Sequence, residues 1–68
     1  MSVQVKLNGE LRDLPDGSTV AQAVTELTAA ATGVAAAVNG DVVPHGSWAV
    51  TLLRDGDQVE VVTAVQGG

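Results

Sequence analysis

Gly67 and Gly68 are the last two residues of the sequence, and they are where chemistry is most easily placed. Glycine leaves a terminal carbonyl unhindered and lets the backbone take whatever dihedrals a narrow channel on another protein imposes. Gln66-Gly67-Gly68 spans roughly 10 Å when extended, enough to carry the carboxylate away from a folded domain. An α-carboxylate, with a pKa of about 3.5, is inert at neutral pH and must be activated. Its attack on the α-phosphate of ATP gives an acyl-adenylate, and sulfide delivered to that mixed anhydride gives a thiocarboxylate. The route needs no side-chain thiol, and the sequence has no cysteine. A Gly-Gly end is also what an ordinary frayed terminus looks like. What precedes it decides between the two.

Few other residues could carry chemistry. Asp55 and Asp57 flank Gly56 but lack the further oxygen ligands of a calcium loop, so they read as a turn. His45 has neither a cysteine nor a second histidine as partner, which leaves no metal or catalytic grouping and suggests a surface residue near a partner protein. Trp48 is the only aromatic residue; a lone ring on a short helical turn is expected to plug the core over the sheet edge. No phosphate-binding glycine loop of the Walker type is present, so the nucleotide would be bound by another enzyme and no cofactor by this chain. No metal ligands and no catalytic side chain are expected.

Composition narrows the classes further. A chain of 68 residues is one small domain that buries only about 60% of the surface it exposes when unfolded, and a deep enclosed pocket would consume core it needs. Self-contained catalysis is therefore disfavoured. Three basic residues stand against eight acidic ones, for a net charge of -5. That field repels phosphate backbones and steers the domain toward basic protein surfaces. One aromatic residue cannot form a stacking platform for nucleotides either. The sequence shows no secretory signal pattern and no apolar stretch approaching a membrane span, so a cytoplasmic protein is expected.

The positioning elements follow from periodicity. Val3, Val5 and Leu7 alternate with Gln4 and Lys6, Leu11 and Leu14 mark a less regular strand, and Asn8-Gly9 between them is a type I′ turn signal. Residues 3–14 are thus a β-hairpin. Thr19 and Gln22 have capping-box spacing, and Val20, Ala23, Val24, Leu27 and Ala31 fall on one helical face that should end near Gly33. Val34 to Val38 and Asp41 to Val43 form a second strand pair around Asn39-Gly40. Pro44 stops it, and Ser47 is placed to cap a short helical turn holding Trp48. Asp55-Gly56-Asp57 then turns the chain into a final strand, Gln58 to Val65.

Hairpin, helix, strand pair, helical turn and long last strand make a mixed sheet with one main helix across one face, an α+β β-grasp domain over residues 1–65 with a flexible tail at 66–68. Parity on the last strand sends Val59, Val61 and Thr63 to the core and Glu60, Val62 and Ala64 outward. An apolar strip at Val62 and Ala64, with Glu60, beside the tail is a docking patch. The alternative is an outer face that is merely weakly polar.

The run from Val34 through Asn39-Gly40 to Val43-Pro44, then Trp48, then Asp55-Gly56-Asp57 through to Gly67-Gly68 resembles the ThiS family, ubiquitin-like sulfur carriers of thiazole biosynthesis in the thiamine pathway. The likeness covers essentially the whole chain. It implies that Gly68 is adenylated by a ThiF-type adenylyltransferase using ATP, converted to a thiocarboxylate with sulfur from a donor enzyme, and that Gln66 and Gly67 thread into the partner. The loaded end would donate sulfur to thiazole synthase, ThiG. The sequence departs from the pattern at His45, where relatives often carry arginine after the proline. If that arginine touches the partner, His45 weakens one contact or makes it pH-dependent.

Two alternatives stay open at this point. The small subunit of molybdopterin synthase shares the fold and the Gly-Gly end, but that family commonly has proline before its glycines, where this chain has Thr63-Ala64-Val65-Gln66. A plain β-grasp interaction module, or a modifier attached to protein lysines, would use the same scaffold.

Overall fold

A computed structural model describes residues 1–28 and 33–63. Its element order is β1 (Ser2–Leu7), β2 (Glu10–Pro15), α1 (Val20–Leu27), β3 (Val34–Val38), β4 (Asp41–Val43), a 3-10 helix (His45–Val50) and β5 (Gln58–Thr63). The strands form one sheet in the order β2-β1-β5-β3-β4. β1 and β5 run parallel at its centre, and the other pairs are antiparallel. This is the expected mixed β-grasp sheet.

Alternation in β1 puts Val3, Val5 and Leu7 on the inner face and leaves Gln4 and Lys6 exposed. Register then fixes the neighbours: Val3 stands opposite Leu14 and Ala36 opposite Val61. α1 lies on this inner face and buries Val20, Ala23 and Val24 with Val59, Leu53 and Trp48. Thr19 and Gln22 close the capping box, the Thr19 hydroxyl accepting from the Gln22 N–H and the Gln22 side chain accepting from the Thr19 N–H. On the sheet side, Arg12 reaches Glu26 at 3.8 Å, tying the hairpin to the helix across an exposed edge.

Two details differ from expectation. The helix ends at Leu27 rather than near Gly33: Thr28 is already extended at φ -153°, its N–H closing the last turn on Val24. β-branched Thr25 and Thr28 lower helix propensity in that turn. Gly33, at φ +75°, instead directs the chain into β3. Ala31 lies outside the described residues. Ser47 is not a cap either. The 3-10 helix begins after Pro44, and Ser47 sits inside it, its N–H donating to the Pro44 carbonyl at 2.8 Å.

Trp48 plugs the core at the β4 edge as expected, 4% exposed, its Nε1 donating to the Val43 carbonyl at 2.9 Å. His45 stacks on it at 3.9 Å between ring centroids and remains exposed. Both aspartates of the 55–57 turn accept hydrogen bonds from within the fold. Asp55 accepts the Gln4 N–H at 2.6 Å, and Asp57 accepts the Arg54 N–H at 2.8 Å and the Asn39 amide at 3.0 Å. No helix among the described residues is long and apolar enough to cross a membrane.

Candidate functional site

The strand that leads to the Gly-Gly end is the middle strand of the sheet, held on both flanks. β3 pairs with it from Val34 opposite Thr63 to Val38 opposite Val59. On the other flank the β1 ladder covers only Gln58 and Val59, because β1 turns away at Asn8. The Asn8 side chain continues that ladder. Its Nδ2 donates to the Val61 carbonyl at 3.0 Å and its Oδ1 accepts the Val61 N–H at 2.8 Å, while its backbone N–H donates to the Val59 carbonyl. Asn39 holds the start of β5, its side-chain Oδ1 accepting the Gln58 N–H at 3.0 Å and its backbone N–H donating to the Gln58 carbonyl at 2.8 Å. Both asparagines occupy positive φ, 50° and 52°, as the first central residue of an Asn-Gly turn. Asparagine tolerates that conformation and carries both a donor and an acceptor, so one residue makes the turn and clamps the strand.

Parity on β5 is as the alternation implied. Val59 and Val61 are buried, while Glu60 and Val62 face outward. Val62 is 60% exposed. The side chain of Thr63 and residues Ala64, Val65, Gln66, Gly67 and Gly68 lie outside the described residues.

Register brings further apolar residues to Val62. Ala35 stands opposite Val62, Ala37 opposite Glu60 and Val42 opposite Ala37, so all share the outer face. Between the exposed Val42 and Val62 lies a shallow, largely apolar depression of about 150 Å³, floored by Ala35, Ala36 and Ala37 and edged by Glu60. Small alanines make the floor and two valines the walls. Val42, Ala35 and Ala37 were not singled out from sequence. The signal was present in the Asn39-Gly40 turn, since a two-residue hairpin loop fixes which residues of β3 and β4 oppose each other.

Among the described residues no group of three or more metal-ligating side chains is present.

The ThiS family model matches residues 5–68, running through both terminal glycines. The chain belongs to the ThiS family. It is 30% identical over 66 residues to the sulfur carrier protein ThiS of Escherichia coli K12, covering 97% of this chain and all of that protein. A crystal structure of the thiamine biosynthesis protein ThiS from Geobacter metallireducens superposes with a TM-score of 0.81 at 26% identity, over 97% of this chain and all of that one. A thiazole synthase of Paramagnetospirillum magneticum is 33% identical over 66 residues, but there the match spans 97% of this chain and only 20% of the larger protein. This ThiS-family chain thus corresponds to about a fifth of that protein. Members of the family are small carriers rather than catalysts, in keeping with a site that is an exposed sheet face beside a strand end.

Proposed function

We propose that this protein is the sulfur carrier of thiamine biosynthesis, its sulfur held as a thiocarboxylate at the C-terminal carbonyl of Gly68. The observation that carries this reading is the family match extending through Gly67-Gly68, on a scaffold whose central strand is the last described element before them in the sequence. In the activation step, the Gly68 carboxylate attacks the α-phosphate of ATP on a ThiF-type enzyme, forming an acyl-adenylate and releasing pyrophosphate. Sulfur from a donor enzyme then replaces AMP. The ATP is bound by the partner and no cofactor by this chain.

The recipient is thiazole synthase. A thiazole synthase that contains a region like this chain supports that pairing, because covalent linkage of two proteins that must meet raises their effective concentration. Val62, Glu60 and Ala64, joined by Val42, Ala35 and Ala37, serve as the face both enzymes grip, and Gln66 and Gly67 thread toward the reacting centre. An apolar centre edged by an acidic residue fits a partner with an apolar patch and a basic rim. The reactions take place in the cytoplasm, where ATP is at hand.

Intact-mass measurement after incubation with an active ThiF-type enzyme, Mg-ATP and sulfide tests the reading. The expected product is heavier by the difference between sulfur and oxygen. An unchanged mass, with the enzyme shown to be active on another carrier, would contradict it.

A further inference from the structure

Val61 is the last residue of β5 that Asn8 holds on the β1 flank, and the hold is made by a side chain alone. Beyond Val59 the backbone ladder on that side has ended, and both backbone polar groups of Val61 are satisfied by the Asn8 amide at 3.0 and 2.8 Å. The grip lies within the strand that carries Val62 on its outer face and continues in sequence to Gly68. We propose that Asn8 is a positioning residue for sulfur loading and transfer: by locking Val61, it fixes where β5 leaves the domain relative to the face that partners grip. This rests on the sulfur-carrier reading above.

The physical reason is leverage. A docked carrier must place one carbonyl at a reacting centre, and small misplacements at such a centre are costly even when their origin is remote. Partner affinity is set by the outer face, and Asn8 is not among the residues that line the depression between Val42 and Val62. Releasing Val61 therefore affects placement and leaves docking intact. Asn39 supplies an internal control. Its side chain also holds the same strand, by one bond from the Gln58 N–H to its Oδ1 with its Nδ2 donating to Asp57, at the end remote from the tail.

Asn8→Gly and Asn39→Gly each keep the positive φ of the turn, which glycine adopts without strain; the first removes the two bonds to Val61, and the second the bonds to Gln58 and Asp57. Both would be assayed for thiocarboxylate formation with a ThiF-type enzyme, Mg-ATP and sulfide, below the unfolding temperature of either variant. Asn8→Gly is expected to lower kcat about tenfold with KM unchanged, and Asn39→Gly to leave both within about twofold. An unchanged kcat for Asn8→Gly, an equal loss in Asn39→Gly, or an effect confined to KM would overturn the proposal. Should Asn8→Gly fail to fold, Asn8→Asp replaces it, since aspartate tolerates the turn and accepts from the Val61 N–H but cannot donate to its carbonyl. A reduced kcat at constant KM then supports the role, and a wild-type kcat overturns it. Failure of the unmodified protein to load would instead contradict the sulfur-carrier reading.

Discussion

Val42 and Val62 leave 74% and 60% of their surface to solvent and together line one apolar depression on the outer sheet face, which the proposed partners would cover. A carboxylate at either position would have to be desolvated against an apolar partner patch, while the isolated protein would keep it in water. Val42→Asp and Val62→Asp are expected to raise the KM for loading about tenfold each with little change in thermal stability. Titrating the carrier in the loading assay checks the first and a melting curve the second. At this scale the sequence was legible where one strand sufficed. Alternation alone sent Glu60 and Val62 outward. Val42 and the alanine floor needed pairing between strands, which parity within one strand does not contain. The dual use of Asn8 and Asn39 was also invisible. Asn-Gly announced two turns, but nothing local said that the amides would reach across to β5.

The elements were set by local chemistry where that chemistry was strong. Both Asn-Gly hairpins formed in the implied register, and the Thr19–Gln22 capping box closed as its spacing required. That box starts the helix where the chain is also pinned by the Val20 N–H to Thr51 carbonyl and Leu53 N–H to Ser18 carbonyl bonds. Thr19→Ala should cost about 1 kcal/mol of folding stability, read from chemical denaturation, with loading unaffected at temperatures where the protein stays folded. Signals that depended on competition were less legible. Gly33 offered a C-terminal helix signal, yet the helix had already stopped at Leu27, where β-branched Thr25 and Thr28 lower helix propensity. Ser47 looked like a cap, but fixed-φ Pro44 set the start of the 3-10 helix three residues earlier.

Across the whole molecule, the sulfur-carrier proposal divides the work between a folded grip and a chemically active end. One face of the sheet is spent on the helix and the core, with Trp48 closing the edge, and the other stays exposed at Val42 and Val62. The net charge of -5 biases those encounters toward basic surfaces. The fold class was readable because hairpin, helix, strand pair and last strand leave few ways to cover one apolar face at this length. The family was readable as well, since the turn motifs and the Gly-Gly end that pointed to it lie within the stretch that the family model matches. Removing Gly67 and Gly68 separates the two functions. The truncated chain should melt as the full chain does, compete with it for the loading enzyme through the intact sheet face, and support no thiazole formation in cells without another carrier. Thiazole formation sustained by the truncated chain would contradict a thiocarboxylate at Gly68 as the form in which the sulfur travels.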